Sequence, residues 1–355
     1  MKLGRTLPIA AIGLLMSSGA FAMFRAANLV VVPTAASTAG LNGSNWRTDV
    51  EILNVDTVSI DVEIVMLECC LSDNSVWFAN IKNHLGGRTS DGFGHIDAKL
   101  ENIPPGQAVY ISDVVGTSLG LSGVKGALLV FAYQAGTLLT TTPPGGNPKN
   151  IVVNTRTYTS GTNASNQTFT YGQETPGLPW YDYLDPGLKS KGLDHVTFTG
   201  LREDTAYRTA FGLVNVSDRT TTLAVVLTLK DQGGTQLAQQ TLTMPPLGHY
   251  QADQAIINFF GKTLADAIQG ASLTVTASNY QSGAQYPAPA LMAYVTRTDN
   301  VSNDSLYLEQ IFTQPLQWDC VFNGNCVAST AGLSLNPSPT PANASPLRPP
   351  TPLAP

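Results

Sequence analysis

Residues 116–120 read Gly-Thr-Ser-Leu-Gly, the G-x-S-x-G spacing of a nucleophile elbow. Such an elbow works when a strand-to-helix turn lifts the serine beneath an oxyanion hole, with a histidine and an acid within reach. No suitably placed His–acid pair accompanies Ser118, and a second copy of the same segment, described below, replaces it with Phe259 and Gly116 with Ile257. A position that accepts phenylalanine is expected to belong to an apolar cap. Two other groups hold metal-type donors. His84 and His95 flank a Gly-rich stretch with Asp91 and Asp97 nearby, which admits a metal or ligand site, a polar surface loop being the plainer expectation. Asp299, Asn303 and Asp304 offer hard oxygens of the kind calcium takes, without EF-hand spacing, so an Asx-rich turn is the plainer expectation. P-loop, G-x-G-x-x-G and H-E-x-x-H patterns do not occur.

Aromatic side chains form a further group. Trp77 and Phe78 lie in the loop with the two histidines, and Trp180, Tyr181 and Tyr183 lie near mid-chain. Aromatic faces stack on the C–H face of a sugar ring, and they equally anchor a linker on its neighbours. Paired carboxylates in a glycosidase-like setting are not recognisable in the sequence. The cofactor expectation is none, with calcium as the one candidate. Four cysteines occur, Cys69, Cys70, Cys320 and Cys326. In an oxidising compartment an even number reads as disulfides. The Asn-Gly turn in "DCVFNGNC" makes Cys320–Cys326 the easiest bond, while Cys69 and Cys70 pair with each other or with the C-terminal two.

The elements that must position these residues are written twice. "WRTDVEILNVDTVSIDVEIVML" at 46–67 returns 161 positions later as "AFGLVNVSDRTTTLAVVLTL" and its preceding "YRT", so that Arg47-Thr48 and Asn54 reappear as Arg208-Thr209 and Asn215. In the first copy Ile60, Val62, Ile64 and Met66 alternate with Ser59, Asp61, Glu63 and Val65, which predicts a strand with one buried and one mostly wet face. Thr221, Leu223, Val225 and Leu227 are the aligned positions of the second copy. "PPGQAVYISDVVGTSLG" at 104–120 aligns without gaps on "PPLGHYQADQAIINFFG" at 245–261, each predicting a turn, a strand and a short helical cap. "GALLVFAY" (126–133) then matches "GASLTVTA" (270–277), "NLVVVPTA" (28–35) matches "HVTFTGLR" (195–202), and a Thr-Arg-Thr strand closes each copy around Arg156 and Arg297. The four arginines Arg47, Arg156, Arg208 and Arg297 thus occupy equivalent places, which points to a shared structural role.

Short strands with turn signals every 8 to 12 residues describe β-sandwiches. The expectation is an all-β chain: two homologous antiparallel β-sandwich (Ig-like) domains in tandem, at 27–160 and 193–315, each with a short capping helix. A connector spans 161–192, a Cys-containing segment 316–333, and a Pro-rich extended tail 334–355. The pattern resembles a family of secreted bacterial tandem β-sandwich modules. The resemblance rests on the W/F-R-T-x-x-x-x-x-N strand (Trp46, Arg47, Thr48, Asn54; Arg208, Thr209, Asn215), the paired T-R-T strands and "YGQETPG" at 171–177. It implies a fold and an exported compartment, and no activity.

Composition agrees with export. Lys2 and Arg5 precede an apolar run at 7–16, and Ala20-Phe21-Ala22 forms an A-x-A site, so residues 1–22 read as a signal peptide cleaved before Met23. The apolar run is too short for a membrane span, and no later one is long enough. The formal charge of −6 becomes −8 after cleavage, with 17 basic against 25 acidic residues, which excludes the basic footprint of a nucleic-acid binder. The functional expectation is a non-enzymatic exported structural or adhesive protein, extracellular, at the cell surface or periplasmic. Its partner would be an extracellular protein, a glycan or another copy of the chain. A carbohydrate-binding module and a secreted hydrolase are the rival classes. The two copies differ most at 70–100 and in the connector, and long loops on a rigid scaffold are where function concentrates.

Overall fold

The structure, a computed structural model, describes residues 25–40, 44–74, 97–137, 147–162, 166, 168–179, 183–217, 221–266, 268–280, 291–302 and 305–309. It is all-β with antiparallel sheets. The first half contains β1 (Leu29–Ala39), β2 (Asn45–Asn54), β3 (Ile60–Glu68), β4 (Asp97–Ile103), β5 (Ala108–Ile111), β6 (Val124–Gln134), β7 (Ile151–Thr162), β8 (Thr168–Pro176) and β9 (Leu178–Pro179). The second half contains β10 (His195–Glu203), β11 (Tyr207–Asn215), β12 (Leu223–Lys230), β13 (Gln236–Met244), β14 (His249–Ala252), β15 (Ile268–Tyr280), β16 (Leu291–Asp299) and β17 (Ser305–Glu309). No helix among the described residues is long and apolar enough to cross a membrane.

The strands lie in four layers. Layer one is β5-β2-β7-β8 and layer two is β4-β3-β6-β1, with β9 beside β1. The two are one folded-over sheet, joined where Thr38 pairs with Trp46 and Ala39 with Asn45. Layer three is β14-β11-β16-β17 and layer four is β10-β15-β12-β13. The strand order of layers one and two therefore recurs in layers three and four. Between layers one and two sits a core that includes Val30, Val50, Ile52, Ile64, Val130 and Val153. Between layers three and four sits its counterpart, including Val196, Phe211, Val225, Leu273 and Ala293.

A third core joins the halves. Leu29, Val31, Val65, Leu67, Leu129 and Phe131 on the outer side of layer two meet Val214, Val216, Leu247 and Met292 of the second half. Each large apolar side chain fully buried contributes ~1.5–3 kcal/mol, so this seam carries on the order of 10 kcal/mol. This seam overturns one expectation. The outer side of β3 is not wet: Asp61, Glu63, Val65 and Leu67 are as buried as Ile60, Val62, Ile64 and Met66. β12 keeps the expected alternation, burying Leu223, Val225, Leu227 and Leu229 while the residues between them are half-buried.

The repeated R-T…N strand has a physical reason. Thr48 Oγ1 accepts from Ala36 N–H (2.8 Å) and donates to Ala36 O (3.3 Å), pinning β1 just past its bulge between Val32 and Ala35. Thr209 Oγ1 does the same to Arg202, accepting from its N–H (3.2 Å) and donating to its carbonyl (2.7 Å), beside the bulge of β10. Asn54, fully buried, donates to Val58 O and Ile103 O while accepting from Asp56 N–H. Asn215 repeats this with Thr221 O, Pro245 O and Ser217 N–H. Each amide braces the chain leaving its strand against the end of β4 or β13 and satisfies the backbone groups buried there.

Cross-strand registers correct four of the sequence alignments, three by one residue and that of β3 with β12 by two. Ile60 pairs with Ile103 and Leu223 with Met244, the residues before the two Pro-Pro segments, so Ile60 corresponds to Leu223 and not to Thr221. Val65, thereby matched to Thr228, pairs with Leu129 as Thr228 does with Thr274, and these pair in turn with Val31 and Thr197, so Leu29 corresponds to His195 and Gly126 to Ala271. Thr48 pairs with Thr157 but Thr209 with Arg297, so Arg297 corresponds to Thr157 and Arg156 to Thr296. A one-residue slip in a strand changes the face a side chain takes. Equal glycines and Thr-Arg-Thr triplets in the two copies therefore do not occupy equivalent positions.

The gapless Pro-Pro segment keeps its register, and its backbone shows it. Asp113 and Gln254 both adopt left-handed φ (47° and 49°) at the start of the caps Val114–Ser118 and Ala255–Asn258. Gly106 (φ 73°) corresponds to Leu247 (φ 52°). A leucine held there is strained by about 1–2 kcal/mol, yet its side chain is buried in the seam, where truncating a leucine costs ~2–5 kcal/mol. Burial wins. Leu247→Gly is expected to lower the unfolding free energy by about 1–3 kcal/mol in urea titration, whereas Gly106→Ala, which opens onto free space, should cost only about 1 kcal/mol of strain. Equal losses from the two variants would mean that Leu247 does not anchor the seam.

Candidate functional site

At the end of β3 the chain turns from layer two onto the second half, and there it carries Cys69 and Cys70. Cys69 N–H donates to Lys125 O (2.9 Å), and Leu71 N–H donates to His249 O (2.8 Å). Cys69 and His249 form an isolated parallel bridge. Cys69 and Cys70 are joined as a vicinal disulfide across a cis peptide bond. Cys69 is half-buried and Cys70 exposed. Asn74 is fully buried and donates to Leu247 O (2.9 Å), and Lys125 Nζ meets Asp253 Oδ2 at 2.8 Å. The corner is a clamp between the halves. Its chemistry is thiol–disulfide exchange, which needs only that a thiolate reach one sulfur.

His249 lies beneath this corner, completely buried. Its position corresponds to Ala108 of the first half, which is exposed. The difference follows from the seam: the outer side of layer three is covered by layer two, and His249 Nε2 lies 3.2 Å from Pro33 O of β1. Nδ1 has no hydrogen-bond partner among the described residues. Burial pushes the imidazole down to about 3, helped by Lys125 and opposed by the Pro33 carbonyl and Asp253. The ring is neutral in the folded protein.

A second constellation covers the outer side of layer one. Tyr110, 60% exposed, donates its hydroxyl to Asp49 Oδ2, whose other oxygen accepts from Asp113 N–H (2.9 Å). Asp49 and this hydrogen bond raise the Tyr110 hydroxyl above its ordinary range. Arg47 Nε lies 3.9 Å from Asp113 Oδ2, and the Arg156 guanidinium lies 5.1 Å from the centre of the Tyr158 ring. The face offers flat aromatic surface beside fixed charges. In the second half, His195 Nδ1 sits 2.9 Å from Asp194 Oδ1 at the start of β10. Sequence reading passed over Asp49, Tyr110, Tyr158, Asp194, His195 and His249. The one available signal was the adjacent Asp194-His195 pair; nothing in the sequence marks the others, because cross-strand neighbours bring them together.

Of the residues singled out in sequence, Trp77, Phe78, His84, His95, Trp180, Tyr181, Asn303, Asp304, Cys320 and Cys326 lie outside the described residues, as does Asp91. Asp97 opens β4, its backbone paired with Val65. Tyr183 is buried in the seam, so it packs as a linker anchor. Asp299 Oδ1 accepts from Val301 and Ser302 N–H (both 2.8 Å), an Asx turn whose backbone donors lower its pKa. Among the described residues no group of three or more metal-ligating side chains gathers.

Ser118 ends the cap in which Val114, Val115 and Leu119 are fully buried. The glycines of its G-x-S-x-G have local reasons: Gly116 donates to the Asp113 carboxylate, which leaves no room for a Cβ, and Gly120 takes φ 69°. The arginine quartet does not form one set. Arg297, facing layer four, donates to Gly200 O (2.8 Å), as a bridging role requires. Arg156 faces outward to Thr170 Oγ1 (2.9 Å), so the two are not equivalent. Arg208 donates to Asn300 Oδ1 (2.8 Å), and burial lowers its pKa. Compared with known proteins, the chain matches no family model and no curated protein.

Two outcomes follow from the corner. The unfolded chain protonates His249 near 6.5 and the folded one only near about 3, so between these values unfolding takes up a proton. Stability should fall as pH drops through that window, with a slope of up to about 1.4 kcal/mol per pH unit that His249→Gln removes. Denaturant titrations at several pH values showing the same slope in both proteins would contradict this. Cys69 and Cys70 should resist maleimide labelling in the folded, unreduced protein and take two labels after treatment with a dithiol, read by peptide mass spectrometry.

Proposed function

We propose that the chain is an exported, non-catalytic structural or adhesive protein, built from two homologous Ig-like β-sandwich domains in tandem. The single observation that supports it is the seam. Layers two and three share a hydrophobic core that makes the halves a continuous four-layer stack, and inter-domain contacts of this apolar kind oppose relative motion. A body without a hinge transmits force and holds surfaces at set positions, which is what a scaffold or adhesin requires. The duplicated motifs serve strand pinning, and the vicinal disulfide suits an oxidising compartment. The resemblance to secreted bacterial tandem β-sandwich modules belongs to the same reading.

The experiment is fractionation of the native cell with mass spectrometry of the chain's first peptide. The expected result is a chain that starts at Met23, found outside the cytoplasm. Intact residues 1–22 on a cytoplasmic protein would overturn the proposal. A glycan-binding role is the second reading, favoured by the exposed Tyr110 ring beside Asp49, Arg47 and Tyr158. In that case Tyr110→Ala should abolish glycan-array signal while leaving the melting temperature unchanged. An array without hits for the parent chain removes it.

A further inference from the structure

β13 is an edge strand: it pairs with β12 and, among the described residues, with nothing on its other side. Such an edge presents a row of unpaired N–H and C=O groups, and folds blunt it with charge, proline, bulges or brevity. The other edges carry these devices. β4 holds Asp97, Lys99 and Glu101 and a left-handed Asn102 (φ 54°). β8 holds Glu174 and Pro176, and β10 is interrupted at Gly200 (φ 73°). β5 and β14 have four residues each, and β17 five. β13 has none of them. Its nine residues, "QLAQQTLTM", include no charge, no proline and no positive φ, and its one register shift falls at the hairpin end beside Lys230.

The contrast with β4 is informative because the two strands hold the same place in the repeated strand order. One copy of the edge is charged and bent, while the other is neutral and straight. The five central residues, 238–242, also match themselves in reverse. Antiparallel pairing about a two-fold axis through Gln240 sets Ala238 opposite Leu242 and Gln239 opposite Thr241. Ala238 and Leu242 pair with Leu229 and Val225 on the core side of β12; Gln239 and Thr241 pair with Thr228 and Val226 on the outer side. Within these five residues apolar meets apolar and polar meets polar; beyond them Leu237 would face Thr243 and Gln236 would face Met244, so the match is confined to the centre of the strand. An isologous contact of this kind closes at a dimer.

We propose that β13 is a self-association edge on which β13 of a second copy pairs antiparallel about Gln240, running one eight-stranded sheet through both molecules. The contact is independent of the compartment and the structural role argued above, because it depends on this strand alone. The test is sedimentation of the purified full chain across a wide concentration range. Gln239 and Thr241 are both exposed, so Gln239→Lys with Thr241→Lys leaves the core untouched and sets like charges opposite each other across the axis. Gln239→Glu with Thr241→Lys instead sets opposite charges there.

The parent chain should dimerise with rising concentration, the double-lysine variant should stay monomeric with its melting temperature unchanged, and the Glu/Lys variant should dimerise again. Hydrogen exchange should show the outward-facing β13 amides, those not bonded to β12, protected only in the dimer. A parent chain that is monomeric throughout, a double-lysine variant that still dimerises, or a Glu/Lys variant that does not recover would each overturn the proposal. So would full protection of these amides in the monomer, since a segment of the same chain would then cover the edge.

Discussion

Everything else in this molecule follows from burying the outer side of layer two against the outer side of layer three. A β-sandwich needs one apolar face per sheet; these two sheets have two. β1, β3 and β6 consequently place Leu29, Val31, Val65, Leu67, Leu129 and Phe131 on the side away from their own sandwich core. The corresponding positions of layer four, read from the strand registers, are His195, Thr197, Thr228, Lys230, Thr274 and Thr276. Layer four ends the stack and faces water. Layer one ends it on the other side, and it sets Asp49, Glu51 and Arg156 where layer three has Ala210, Gly212 and Thr296. Two copies of one strand order have taken opposite surface chemistry according to which side they cover.

The seam also accounts for the costly features of the second half. Leu247 accepts a left-handed backbone, and His249 gives up its proton, because both project into a volume that layer two has closed. Neither would be retained on an open face, where a glycine and an alanine stand in the first half. The disulfide corner lies at the rim of the same contact. Its backbone bonds to Lys125 and His249 tie β3 and β6 to β14, so the covalent ring and the apolar seam restrain the same joint.

Against this, the repeated polar motif is a local device. Thr48 and Thr209 each hold a bulge of the facing sheet, and Asn54 and Asn215 each hold a strand end. A buried amide with its donors and acceptor matched contributes about 1 kcal/mol per hydrogen bond, and more is lost when one partner is removed. That asymmetry explains why these residues recur while the strands around them diverge. It also explains why they offer no route to an activity: their polar atoms are already committed.

Local chemistry was readable from the chain alone: the all-β class, the repeat, the turns before each cap, the gapless register of the Pro-Pro segment and the alternation of β12. These depend on neighbours two to four residues away, whose spacing is visible in sequence. The second buried face of β3, the pairing of Cys69 with Cys70, the separation of Arg156 from Arg297 and the cluster around Asp49 were decided only by tertiary structure. Alternation tells which residues can share a face, and it does not tell what will cover that face. A strand buried on both sides and one buried on a single side differ only in their partner. That partner, here another sheet of the same chain, was chosen by packing across more than a hundred residues of sequence.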